Sequence, residues 1–209
     1  MKVLVFDTET TGLPTERNPS IYETQKWPYI IQLSYIIYDT NNNNVVVIVN
    51  DYINIDDNIN ISEESQKIHN ISREMLKEGI PIKEALYKFN KYASSVDILV
   101  GHNVSFDKRM VIVEGVRNKI KMNASNTYCT MKSSTDMCKI EKVNSEGKTY
   151  FKYPTLSELY YHLFRRNPTN THNAIIDVII CLRCYCKIKL DEDISKFNKE
   201  IRILLTNTE

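Results

Sequence analysis

Apolar positions in this chain follow two rhythms, one of period two and one of three to four. Val3-Leu4-Val5-Phe6 opens it as an apolar run that passes into Asp7-Thr8-Glu9-Thr10-Thr11 and breaks at Gly12-Leu13, which predicts a strand carrying two acids at its end. On that strand Val3, Val5, Asp7 and Glu9 share one face, and Leu4, Phe6 and Thr8 share the other. After a polar loop to about Pro28, Tyr29 to Tyr38 is a continuous apolar strand. Asn41 to Asn44 turns the chain, because asparagine tolerates left-handed dihedrals, and Val45 to Val49 returns toward Ile55 as a third strand. Ser62 and Ser72 each cap a short helix, the second stopped by Gly79. Pro81 then stands in the first turn of a helix with Ile82, Ala85, Leu86, Phe89 and Ala93 at helical spacing. Ile98 to Gly101 adds a strand, and a helix runs from about Ser105 through Met110, Val113 and Val116.

Periodicity weakens from Lys132 to Tyr153, which predicts a surface excursion folded as a hairpin about a turn at Asn144 to Gly147. Thr155-Leu156-Ser157-Glu158 has the form of a capping box and opens a helix to Phe164. Residues 167–171 are loop, and a long apolar helix runs from Ala174 to about Lys189. Ile194, Phe197, Ile201, Leu204 and Leu205 then form an amphipathic pattern, expected as one closing helix over 190–209, packed on or appended to a domain of residues 1–189. Strands alternating with helices place the chain in the α/β class.

Charge narrows the function classes. Lys plus Arg is 27 against 26 for Asp plus Glu, a formal net charge of +1, so no global basic field holds the protein on duplex DNA. The basic residues Lys108, Arg109, Lys139, Lys142, Lys148, Lys152, Arg165 and Arg166 could form a local rim, although scattered lysines are usually a solvated face. The first apolar run is too short for a signal peptide, and no stretch has membrane-spanning length, so the expectation is a cytoplasmic or nuclear protein with no membrane partner. Five cysteines without finger spacing suit a reducing compartment, and Cys181, Cys184 and Cys186 read as small buried hydrophobes in a helix rather than a zinc site.

The acids carry the chemistry. Asp7 and Glu9 point the same way at a strand end, and like charges so close resist ionising unless a cation lies between them. Oxygen donors alone favour magnesium or manganese. Two further junctions place acids in apolar surroundings: Asp107 in the first turn of a helix after Gly101, and Asp177 ahead of Val178-Ile179-Ile180. An acid so embedded costs several kcal/mol if unpaired, and a shared cation would supply the partner. His172 precedes Asp177 closely enough to face the same cavity, and an imidazole there is suited to take a proton from water.

Phe6-Asp7-Thr8-Glu9-Thr10-Thr11-Gly12-Leu13, His102-Asn103-x-x-Phe106-Asp107 and His172-x-Ala174-x-x-Asp177, in this order, resemble the three motifs of the DEDDh 3'–5' exonucleases, a ribonuclease-H-like family that includes proofreading exonucleases. Ile68-His69-Asn70-Ile71-Ser72 is similar to the segment in which that family places a histidine near the terminal nucleotide, with Asn70 where glycine is usual. The resemblance spans about residues 1–188. It implies a ribonuclease-H-like central mixed β-sheet flanked by α-helices, with Asp7, Glu9, Asp107 and Asp177 converging on two divalent ions, magnesium or manganese. Asp7 would bridge both, Glu9 and Asp177 would help hold the ion that carries the attacking water, and Asp107 would act at the other. His172 would be the general base and the product a nucleoside 5'-monophosphate. Leu13 and Phe106 would pack on the terminal bases, with Thr10, His69 and Asn103 gripping the last nucleotide. The expected partner is nucleic acid with a free 3' end. DNA is placed slightly ahead of RNA, since no single residue declares contact with a 2'-hydroxyl. The alternative class is a non-catalytic nucleic-acid-binding module on the same fold. No polymerase-binding tail is evident, and the terminal segment could equally make a dimer contact.

Singly, each residue also has a plainer reading. A strand-end acid is usually a cap or surface charge, His69 a helix-end histidine, Phe106 a core residue, and His102 and His162 structural.

Overall fold

The computed structural model describes residues 1–123, 126–169 and 171–206. In chain order these form β1 (Lys2–Thr10), β2 (Ile30–Asp39), β3 (Asn44–Asn54), α1 (Glu63–His69), α2 (Arg73–Lys77), β4 (Ile80–Pro81), α3 (Ile82–Ala93), β5 (Ile98–Gly101) and α4 (Val104–Asn118). Then follow β6 (Thr127–Cys129), α5 (Thr130–Ser133), α6 (Thr135–Cys138), β7 (Glu141–Val143), β8 (Thr149–Phe151), α7 (Leu156–Phe164), α8 (Ala174–Leu190) and α9 (Lys199–Thr206). The central sheet is six-stranded in the order β4-β3-β2-β1-β5-β6. It is mixed: β1 and β3 run antiparallel to β2, while β5 is parallel to β1, β6 to β5 and β4 to β3. The expected ribonuclease-H-like α/β architecture is what the chain adopts.

The period of two along β1 divides the core. Leu4 and Phe6 join Leu33, Tyr35 and Ile37 under α3 and α4, whereas Val3 and Val5 join Ile36, Tyr38 and Val100 under α8 and α9. Strands buried on both faces read as unbroken apolar runs, which is why β2 shows no alternation. Because β1, β5 and β6 are parallel, their C-terminal ends lie on one edge of the sheet. Asp7, Glu9, the β5–α4 junction and the start of α5 are gathered there.

Several expectations are corrected in detail. Pro81 is the N-cap of α3 rather than a first-turn residue, and with Ile80 it pairs beside Ile53 and Asn54 of β3. Gly79 is required at that junction, since a Cβ on it would sit 2.6 Å from the Tyr52 carbonyl oxygen. The three residues of β6 and the short α5 and α6 lack a readable period. The closing helix is shorter than expected: Ile194–Lys196 is a separate 3-10 turn, and only Lys199–Thr206 is α-helical. Ile194, Ile201 and Leu205 are buried against α8, while Phe197 is exposed. Asn170 of the expected loop and residues 207–209 lie outside the described residues.

The hairpin expected within Lys132–Tyr153 is β7 and β8, turned by Asn144–Gly147, and Thr155 with Glu158 forms the capping box of α7. Cys181, Cys184 and Cys186 are buried in α8, where desolvation pushes the first two thiols up and the third to about 12, so they pack as neutral side chains. Among the described residues no helix is long and apolar enough to cross a membrane.

Candidate active site

β1 delivers Asp7 and Glu9 to the face covered by α8, and the first turn of α8 delivers Asp177 to the same place. One carboxylate oxygen from each of the three lies within 4.8 Å of the others, a donor set that could hold a metal ion. Asp177 is oriented by its own helix start: Asn173 caps α8 by accepting from the Ile175 N–H, and Asp177 Oδ2 accepts the His172 backbone N–H at 3.2 Å. Among the described residues Oδ1 of Asp177 is buried without a hydrogen-bond partner. A buried lone carboxylate oxygen is expensive, so its being aimed into a cluster of acids fits a cation there.

Asp107 reaches the cluster differently. It starts from α4, on the opposite face of the sheet, and its Oδ1 accepts from the Thr8 hydroxyl at 2.8 Å and the Thr8 N–H at 3.1 Å. Thr8 lies on the α4 side of β1, and its N–H points where β5 has already ended, so Asp107 satisfies a donor the ladder leaves open. Asp107 therefore meets the others from behind the strand, and it is outside the set of three that share one 4.8 Å cluster.

Electrostatics mark the same four residues. Burial and the charges of Asp107, Asp177 and Glu9 hold the Asp7 carboxyl well above the usual range. Burial, then Asp177 and Asp107, push Glu9 up to about 8. Burial pushes Asp107 up to about 7 against the opposing hydrogen bonds from Thr8, and Asp177 to about 7 against that from His172. Without a cation this site is short of positive charge. Oxygen donors and accumulated negative charge are the chemistry of a magnesium or manganese site.

Two polar side chains on β2, not singled out from the sequence, support the cluster. Ser34 lies opposite Asp7 and Gln32 opposite Glu9 in the β1–β2 register. Gln32, fully buried, accepts the Ala174 N–H at 3.3 Å and donates to Asn50 Oδ1 at 2.8 Å, while Ser34 donates to the same oxygen at 2.6 Å. The first residue of α8, and with it Asp177, is thus tied to the sheet. The signal was legible, since Gln32 and Ser34 are the polar interruptions, two apart, in an otherwise apolar strand.

The remaining candidates are spread around this centre. The His172 ring is exposed at φ 69°, one turn before Asp177, and makes no hydrogen bond among the described residues. Leu13 is 79% exposed and lines a cavity of about 580 Å³ with Trp27 and Tyr29. Thr10 is buried, its hydroxyl donating to the Gly12 carbonyl at 2.7 Å. Asn103, exposed at φ 71°, and half-buried Phe106 line a second cavity of about 180 Å³, with Phe106 also packed on the core. His69 is buried at the end of α1, its Nδ1 accepting the Ile71 N–H at 2.9 Å and its Nε2 without a partner among the described residues. His102 belongs to the framework: its Nε2–H donates to the Pro154 carbonyl and its Nδ1 faces the Thr130 hydroxyl, each at 3.0 Å. Burial pushes it down to about 4, so it is a neutral clasp between the β5–α4 junction and the segment after β8.

The RNase_T family model, described as Exonuclease, matches residues 4–185. No curated protein matches the chain. Among solved structures, a 3'-exonuclease that recognises the 3' end of the histone mRNA stem-loop is 13% identical with a TM-score of 0.67, over 92% of this chain and 83% of the other. Exonuclease I of E. coli with a dT13 oligonucleotide is 17% identical with a TM-score of 0.65, over 97% of this chain, which spans only 45% of that enzyme. Exonuclease X with 5'-overhanging duplex DNA is 16% identical with a TM-score of 0.56, over 95% and 99% of the two chains.

Proposed function

The chain belongs to the exonuclease family whose model spans residues 4–185, and from that premise we propose a metal-dependent 3'–5' exonuclease that removes nucleoside 5'-monophosphates from single-stranded or frayed ends. The observation that carries this reading is the meeting of the Asp7, Glu9 and Asp177 carboxylates within 4.8 Å, with one Asp177 oxygen unpartnered among the described residues. A binding module that merely kept the fold would gain nothing from acids that repel one another. Asp7, Glu9 and Asp177 would hold magnesium or manganese, with Asp107 reaching a second ion from behind Thr8. Divalent ions held there lower the pKa of bound water and stabilise charge on the phosphate oxygens.

The residues themselves then have separate tasks. His172, exposed at the rim, takes the proton of the attacking water as its oxygen bonds to phosphorus and the 3'-oxygen departs. Gln32 and Asn50 keep the α8 start in place, so Asp177 need not reorganise. Leu13 offers an exposed apolar surface to a terminal base, and Phe106 an aromatic one; stacking is worth about 1–3 kcal/mol per base and tolerates any sequence. Thr10, His69 and Asn103 surround the same end.

DNA stands slightly ahead of RNA as substrate, supported by the likeness to exonucleases I and X crystallised with DNA; the likeness to the histone mRNA 3'-exonuclease supports the exoribonuclease alternative. Incubation of 5'-labelled single-stranded DNA and RNA of equal length with magnesium or manganese tests both points. The expected result is a ladder shortening from the 3' end, faster for DNA. Endonucleolytic fragments, or shortening only from the 5' end, would overturn the proposal.

A further inference from the structure

The β7–β8 hairpin stands away from the sheet with every residue from Glu141 to Phe151 exposed. A two-stranded hairpin solvated on both faces is marginal in water, so its surface chemistry has to be explained by something other than packing. Lys142 lies opposite Tyr150 and Glu141 opposite Phe151, and the Lys152 N–H donates to the Ile140 carbonyl at 2.9 Å, one step further along the ladder. Alternation therefore puts Ile140, Lys142, Tyr150 and Lys152 on one face, and Glu141, Val143, Thr149 and Phe151 on the other. The lysines and the acid are segregated.

The basic face is continuous with a cavity of about 390 Å³ lined by Ile140 together with Glu158, Tyr161, His162 and Arg165 of the α7 region. Lys152, at the base, is already paired with Glu158 at 2.6 Å, whereas Lys142, and Lys148 just before β8, are exposed at the outer end. The segment that leaves the hairpin is clasped at Pro154 by His102, the neighbour of Asn103 on the catalytic edge of the sheet. The face thus extends outward from the side of the molecule where a 3' end would be held.

We propose that this face is a binding surface for single-stranded nucleic acid upstream of the scissile end, with phosphates on Lys142 and Lys148, a base stacked on Tyr150, and the strand continuing past Tyr161 and Arg165. The occupant follows from charge and ring placement: cations interleaved with an aromatic, with Glu158 at the base already neutralised by Lys152, suit a polyanion whose every residue carries a π-face. A chain of net charge +1 needs such a local device to hold a strand. The proposal rests on the nuclease reading for its substrate class.

The test compares KM for a single-stranded dT 20-mer with KM for the p-nitrophenyl ester of thymidine 5'-monophosphate, alongside fluorescence anisotropy of the 20-mer. Lys142→Glu and Tyr150→Ala are each expected to raise the ratio of the two KM values by about tenfold, and to weaken 20-mer binding in parallel. For Lys142→Glu the slope of log Kd against log salt should fall by about one. Lys91→Glu on α3 changes the net charge equally and should move neither reading. Unaltered 20-mer binding in the Lys142→Glu/Tyr150→Ala double variant would overturn the proposal. So would an equal loss from Phe151→Ser on the opposite face, which would show that binding does not depend on the basic face in particular. A wild type that hydrolyses neither compound would overturn the nuclease reading alone, since anisotropy still decides the hairpin.

Discussion

Asp107 and Asp177 are both carboxylates at the first turn of a helix, yet their surroundings differ. Asp107 has an oxygen satisfied twice by Thr8, while Asp177 keeps an oxygen with no partner among the described residues. Asp177→Asn is therefore expected to cut hydrolysis by more than about a hundredfold, while the metal-free melting temperature stays level or rises because one buried like charge is gone. His172→Ala removes the proton acceptor at the rim and should lower kcat by about 10²–10⁴-fold with a smaller change in KM, measured under saturating metal. Asp7 and Glu9 were legible as a pair because the strand period alone puts them on one face. The position of Asp107 was not, because it depends on β5 ending early enough to free the Thr8 N–H, which is a matter of register between distant segments.

At the scale of elements, the active edge is held by β2 as much as by the strand that bears the acids. Gln32→Met keeps the volume but leaves the buried Ala174 N–H without its acceptor, while exposed Asn50 keeps its bond from Ser34. A cost of about 1–3 kcal/mol follows from the one unmet buried group. If Gln32 positions the α8 start, manganese affinity measured calorimetrically well below the melting temperature should also fall by about tenfold; loss of stability with full affinity would show a purely structural role. Elements with a strong period or a cap were readable in advance: β1, β2, α3, α7 with its capping box, and α8. The parallel β4 and β6 were not, since a strand of two or three residues carries no period and exists only because a neighbour offers a ladder. The closing segment misled for a related reason. Its apolar residues are spaced as in one helix, but Ile194 and Ile201 reach the same side of α8 across a break, with Asp193 capping the 3-10 turn and pairing with buried Arg183 at 2.8 Å.

For the molecule as a whole, the site opposes folding unless a cation is present. Unfolded Asp and Glu titrate near roughly 3.9 and 4.3, whereas folded and metal-free Glu9 keeps its proton up to about 8, and Asp107 and Asp177 up to about 7. Between those limits the folded state binds more protons than the unfolded one, so stability falls as pH rises. The melting temperature in chelator should thus be lower at pH 8 than at pH 5, and magnesium or manganese should offset most of the loss at pH 8 and little at pH 5. Asp193 acts in the opposite direction: its pKa, lowered to about 2 by Arg183 and Ser195 despite burial, gives stability that is present above pH ~4 and lost below it. The central claim, that these carboxylates form a metal-dependent hydrolytic site, is tested most directly by the release of nucleoside 5'-monophosphate from the 3' end of single-stranded DNA by wild type and Asp177→Asn, with magnesium and then with excess chelator. Release by wild type that stops with chelator and is nearly absent in the variant is the predicted result. Release that persists through chelation, or that Asp177→Asn retains in full, would contradict the account.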